Sequence, residues 1–96
     1  MKTRRFRWDE TKARANLRKH GVAFVEACSV FADENARLIY DPDHSRAEDR
    51  FVLLGFSARL RLLIVCHTYR ETEGVIRLIS ARRANRDERR QYGSFL

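Results

Sequence analysis

Lysine is scarce in a chain that is nonetheless strongly basic: only three of its twenty basic residues are lysine, and seventeen are arginine. A lysine-rich surface would imply little beyond solubility. Arginine carries a planar fork that donates two parallel hydrogen bonds and keeps its charge, which is the best side-chain match to phosphate. Other absences narrow the field. There is one proline, and there are no repeats, no low-complexity tracts and no linker-like stretches. No window approaches the roughly 20 apolar residues of a membrane span, and the basic stretch Met1–Arg7 has no hydrophobic run behind it, unlike a secretory leader. The two cysteines, Cys28 and Cys66, lack CxxC spacing, and His20, His44 and His67 are too scattered for a zinc-site pattern. The expectations are a cytoplasmic protein with both cysteines reduced and buried, no metal, no cofactor and no membrane association.

What is present fits one compact domain over residues 1–96. Hydrophobic residues make up 44% of the chain, enough for a core, which argues against disorder of the whole chain. A net charge of +7 favours an anionic partner, against the plainer reading of a merely soluble basic protein.

Local signals place the elements. Asp9 is an N-cap with Trp8 positioned as a hydrophobic staple, and the helix it opens should run to Lys19 or His20 and stop at Gly21. Phe24, Ala27, Cys28 and Phe31 recur at helical steps and form a second helix. The period then changes to strands over 36–40, 51–56, about 61–70 and 75–82, with Asp41-Pro42-Asp43 as a turn and Glu71-Thr72-Glu73-Gly74 as a hairpin loop. His44 to Asp49 reads as a loop. Asn85 and Glu88 form a capping box before a last helix that ends at Gly93. The expected fold is α+β: two N-terminal helices, a four-stranded antiparallel sheet and a C-terminal helix.

The charges inside apolar strands are the candidate chemistry. If Arg70 pairs with Gly74, His67 faces Arg77; if Arg70 pairs with Val75, Arg77 sits by Thr68 and His67 shares a face with Ser80 and Arg82. Either register groups an arginine with an imidazole or hydroxyl, the equipment for metal-free RNA cleavage. A base takes the proton of the 2′-hydroxyl, a cation steadies the phosphoryl oxygens, and an acid protonates the departing 5′-oxygen. Each residue has a plainer explanation. His67 could be a satisfied core histidine, and Arg77 could bridge to Glu48, Asp49 or Glu88. Lys19 and His20 could offset a helix dipole. Arg82, Arg83, Arg86, Arg89 and Arg90 could form a solvated face, with Arg82 the functional exception. His44-Ser45 could touch substrate or merely form the turn, the turn being the plainer reading, and Tyr92 and Phe95 are read as core or partner anchors.

Phe6-Arg7-Trp8-Asp9-Glu10-Thr11-Lys12, Asn16, Lys19-His20-Gly21-Val22, Phe24, Asp41-Pro42-Asp43-His44-Ser45, Glu48, Arg50, His67-Thr68-Tyr69-Arg70, Ile79-Ser80-Ala81-Arg82 and Glu88-Arg89-Arg90-Gln91-Tyr92 together resemble the BrnT family, the toxins of type II toxin–antitoxin modules. The resemblance runs through nearly the whole chain in order. It implies a RelE/ParE-like fold, an endoribonuclease that halts translation, and neutralisation by a BrnA-like ribbon-helix-helix antitoxin that contacts operator DNA for the pair. By position it implies catalytic roles for His67, Arg70, Arg77, Arg82 and Lys19. RNA-binding roles go to His20 and Arg50, to which Arg61 is added from its place at the head of an apolar strand. Base and acid are left unassigned. Two alternatives from other classes are a topoisomerase-poisoning toxin, which needs no acid–base pair, and a non-catalytic nucleic-acid binder, whose affinity would fall steeply with salt. The antitoxin is expected to carry an acidic, apolar segment that meets arginines with aromatic neighbours such as Tyr69 or Tyr92.

Overall fold

The computed structural model describes residues 5–70 and 74–93. The elements run β1 (Arg5–Arg7), α1 (Glu10–His20), α2 (Phe24–Ser29), β2 (Arg37–Asp41), β3 (Arg50–Phe56), β4 (Leu62–Arg70), β5 (Val75–Arg83) and α3 (Arg86–Gly93), with 3-10 turns at Val30–Ala32 and Pro42–His44. The sheet has five strands in the order β1-β5-β4-β3-β2. It is mixed, because β1 lies parallel to β5, with Phe6 opposite Ile76, while the other pairs are antiparallel. This corrects the expected four-stranded antiparallel sheet preceded by two helices. The first element is a strand, Arg-Phe-Arg, too short to display the four-residue alternation by which a strand is recognised. The loop residues Glu71, Thr72 and Glu73, and Phe95, lie outside the described residues.

Local chemistry sets the helix ends. One oxygen of Asp9 accepts from the backbone N–H groups of Thr11 (2.8 Å) and Lys12 (3.2 Å), a cap that stabilises by about 1 kcal/mol. Gly21 takes the left-handed conformation, φ 69°, and its N–H closes the helix on the Leu17 carbonyl. Trp8 packs edge-on against Phe24. Asn85 and Glu88 exchange side-chain and backbone hydrogen bonds of 2.8 and 2.9 Å, the reciprocal cap read from their spacing.

Burial divides the sheet. On one face Leu53, Leu63, Val65, Ile76, Leu78 and Ala81 pack against Val22, Phe24, Ala27 and Val30 of the α1–α2 layer. On the other, Leu54, Leu62 and Ile64 pack beneath Tyr92 of α3. Buried Asn16 stitches α1 to the sheet: its amide nitrogen donates to the carbonyls of Val22 and Ala81, and its oxygen accepts from the Ala81 N–H. Because β1 stops at the level of Arg77, that amide takes over the outer edge of β5 where no strand remains to pair with it. Gly55 is required by close approach, since a Cβ there would lie 2.8 Å from that of Ala36. Asp33 ties the layers together, accepting from the Phe56 N–H (2.8 Å) and the Tyr92 hydroxyl (2.7 Å). Burial works against its charge, but hydrogen bonds from Phe56, Tyr92 and Asn35 hold the Asp33 carboxyl below its ordinary value. Burial and the same aspartate push the Tyr92 phenol up to about 12.

Cys28 and Cys66 are half-buried and unbonded to each other, so the expected full burial does not hold. Burial raises the Cys28 thiol to about 11, which keeps it protonated. Among the described residues no helix is long and apolar enough to cross a membrane.

Candidate active site on the arginine face

The register of β4 and β5 decides which side chains meet. Arg70 lies opposite Val75 and Thr68 opposite Arg77, so the second of the two open pairings holds at the hairpin end. A bulge then intervenes. His67 lies opposite Leu78 but Cys66 opposite Ser80, leaving Ile79 as an extra residue. The extra residue reverses the alternation, so Ser80 and Arg82 join Arg77, Thr68 and Cys66 on the α3 face. His67 stays on the opposite face. The expectation that it would share a face with Ser80 and Arg82 fails for this reason.

His67 is fully buried. Its Nδ1 lies 3.1 Å from the Val65 carbonyl and its Nε2 3.1 Å from the Tyr69 hydroxyl. Its ring packs edge-on against Phe31 and Tyr69 and lies beside Phe51. Lys19 and His20 sit at the C-terminal end of α1, also on the far side of the sheet. Arg61 is committed to structure. Its guanidinium binds both carboxylate oxygens of Glu26 and the Gly21 carbonyl, while Ser57 donates to the same glutamate. Glu26 is only 6% exposed and Arg61 22%. The hydrogen bond from Arg61 outweighs burial and holds the Glu26 carboxyl below its ordinary range.

The α3 face is different in kind. Cross-strand partners share a face, so Arg5, Arg7, Arg37, Arg50, Arg70, Arg77 and Arg82 all belong to it. Arg82 grips Glu88 with two parallel bonds of 2.8 Å, an ion pair that raises the arginine and lowers the glutamate from their ordinary values. Arg82 thereby anchors the start of α3, though it remains 42% exposed. Arg77 binds Glu48 through one nitrogen, and both are more than a third exposed (38% and 36%). The guanidinium of half-buried Arg50 has no hydrogen-bond partner among the described residues. The buried hydroxyl of Thr68, opposite Arg77, likewise finds none. Tyr92 is buried under α3 against Phe56 and is therefore a core residue, not an exposed anchor. Tyr69 is 37% exposed.

Beside these arginines lies a groove of about 400 Å³ lined by Asp43, His44, Arg46, Ala47, Glu48 and Arg50. Its chemistry was concealed in the sequence by the polar character of the segment, which reads as a turn and a loop. Asp41 and His44 lie three residues apart across Pro42, and the 3-10 turn brings them together, with Nδ1 of His44 2.8 Å from Oδ2 of Asp41. That spacing was the available signal.

Half-exposed guanidiniums on one sheet face, beside a groove with a carboxylate-held imidazole, give this small α+β domain a basic face suited to an anionic ligand. Residues 8–88 match the family described as ribonuclease toxin, BrnT, of type II toxin–antitoxin systems. The fold is similar to the 1.1 Å crystal structure of the Brucella abortus ribonuclease toxin BrnT, with a TM-score of 0.65 and 27% identity over 88% of this chain and all of that one. No curated protein matches. The chain belongs to the BrnT family of ribonuclease toxins. An RNA substrate and an antitoxin partner come with that membership.

Proposed function

We propose that the protein is a metal-independent endoribonuclease of the cytoplasm that cuts RNA on the arginine face and so inhibits translation. The 2′-oxygen attacks the adjacent phosphorus, and the products carry a 2′,3′-cyclic phosphate and a 5′-hydroxyl. The observation that carries this reading is the pairing of Arg77 with a half-exposed carboxylate at a groove that Arg50 also lines. A guanidinium with one partner and free N–H groups has capacity left for a phosphate, and partial desolvation strengthens its effect on developing charge. Arg50, Arg70, Arg77 and Arg82 are the phosphate contacts in this reading. Lys19, His20 and Arg61 lie outside the reaction centre, and His67 braces the sheet behind it. Neutralisation follows if a BrnA-like ribbon-helix-helix antitoxin lays an acidic segment over the same face, the pair then repressing its operon through the antitoxin's DNA contacts.

The test is purified protein with naked RNA in a chelating buffer, followed by mapping of the ends. Cyclic-phosphate ends are expected. Cleavage that appears only on adding magnesium, or ends bearing a 5′-phosphate, would contradict the mechanism.

A further inference from the structure

The arginine face accounts for charge stabilisation but leaves open which groups move the protons. The groove supplies two, held from different directions. His44 ends the turn that begins at Asp41, the last residue of β2. Proline 42 presets the backbone for that turn. The turn is braced at its far end, because the Ser45 hydroxyl donates to the Asp41 carbonyl and accepts from the Arg50 N–H (2.9 Å). An ionised carboxylate only accepts, so the ring nitrogen facing Asp41 carries a hydrogen. That fixes Nε2 as the nitrogen free for proton transfer, on a ring that is 67% exposed and lines the groove. Asp41, 23% exposed, is placed to orient the imidazole. Glu48 faces the same groove with its carboxylate held by Arg77 from β5.

We propose that His44, oriented by Asp41, is the general acid of the cleavage reaction and Glu48 the general base. This rests on the ribonuclease reading above. An ionised carboxylate has no proton to give, so of the two groups the imidazolium serves the leaving oxygen. Glu48 takes the proton of the 2′-hydroxyl, and the 2′-oxygen forms its bond to phosphorus. The bond from phosphorus to the 5′-oxygen breaks, and that oxygen receives the proton on Nε2 of His44. Glu48 is left protonated and His44 neutral, and exchange with solvent restores both. Asp41 touches no substrate in this scheme and is a positioning residue.

A leaving-group experiment separates these roles. The probe is an RNA oligonucleotide containing a site the wild-type protein cuts, made once with the normal 5′-oxygen and once with sulfur bridging at that position. A thiolate departs without needing a proton. His44→Ala should slow the oxygen substrate by about 10²- to 10³-fold and the sulfur substrate by less than about tenfold. Asp41→Asn should show the same selectivity to a smaller degree, while Glu48→Gln should slow both substrates alike. Thermal melts of each variant establish that it is folded. Equal losses on both substrates for His44→Ala, or no loss on either, overturn the assignment of the acid. Full activity of Arg77→Ala, or no cutting of naked RNA by the wild type, overturns the ribonuclease reading itself.

Discussion

The sheet offers an internal comparison, because each of its faces carries an arginine bound to a glutamate. Behind it, Arg61 and Glu26 are mostly buried, and the glutamate is satisfied by two fork bonds and a serine. In front, Arg77 and Glu48 meet through one nitrogen with over a third of each side chain in solvent. The same two residue types therefore serve opposite ends. A mostly buried pair whose guanidinium makes three bonds to structural acceptors holds a turn in place. A partly exposed pair on the edge of a groove retains donors for phosphate. Positive charge alone did not distinguish them, since both arginines head or interrupt apolar strands; the number of partners and the access of solvent do.

The largest effect on stability should come from the buried pair. Glu26→Ala strands the Arg61 guanidinium and the Ser57 hydroxyl, and should lower the unfolding free energy by about 3 kcal/mol in urea titration. Cleavage per folded molecule should change little. A stable variant with lost activity would erase the contrast between the two pairs.

His67→Ala comes next. Removing a fully buried ring packed among Phe31, Phe51 and Tyr69 should cost about 2–3 kcal/mol. Under conditions where the variant is folded, RNA cleavage should stay within a few-fold of wild type. A large loss of turnover in a folded His67→Ala protein would move the reaction centre to the other face.

Acid should act on the carboxylates that tie the layers. Glu26, Asp33 and Glu88 are all held below their ordinary values, 4.5, 3.8 and 4.5. Each contributes stability that is fully present above its ordinary value and is lost as pH falls through its depressed one. Stability should therefore be flat near neutrality and decline below about pH 4 in melts across that range. The smallest change is Tyr92→Phe, which removes one hydrogen bond to Asp33, about 1 kcal/mol, and should lessen that acid sensitivity. An unchanged acid profile would show that this aspartate does not couple α3 to the sheet.

Features governed by adjacent residues were legible in the chain. The caps at Asp9, Gly21 and Asn85 follow from backbone groups that need partners within a few residues, and each is found where those residues stand. The hairpin strands were legible for the same reason, down to a choice between two registers. Tertiary decisions were not. Strand β1 is three residues long and exists only because Phe6 fits beside Ile76, seventy residues later. The bulge at Ile79 inserts one residue and moves Ser80 and Arg82 across the sheet, which no periodicity announces. The arginines were visible as candidates for phosphate binding, and Glu48 and His44 as a possible bridge to Arg77 and a possible substrate contact, but the groove that joins them with Asp41 was hidden because all three belong to a polar stretch that reads as a turn and a loop.

The decisive measurement compares two single variants that remove the same side chain from opposite faces. Rates of RNA cleavage per folded molecule, in a chelating buffer, should fall on the order of 10³-fold for Arg77→Ala and stay within a few-fold for Arg61→Ala. Equal losses in both, or a loss confined to Arg61→Ala, would contradict the assignment of chemistry to the open face.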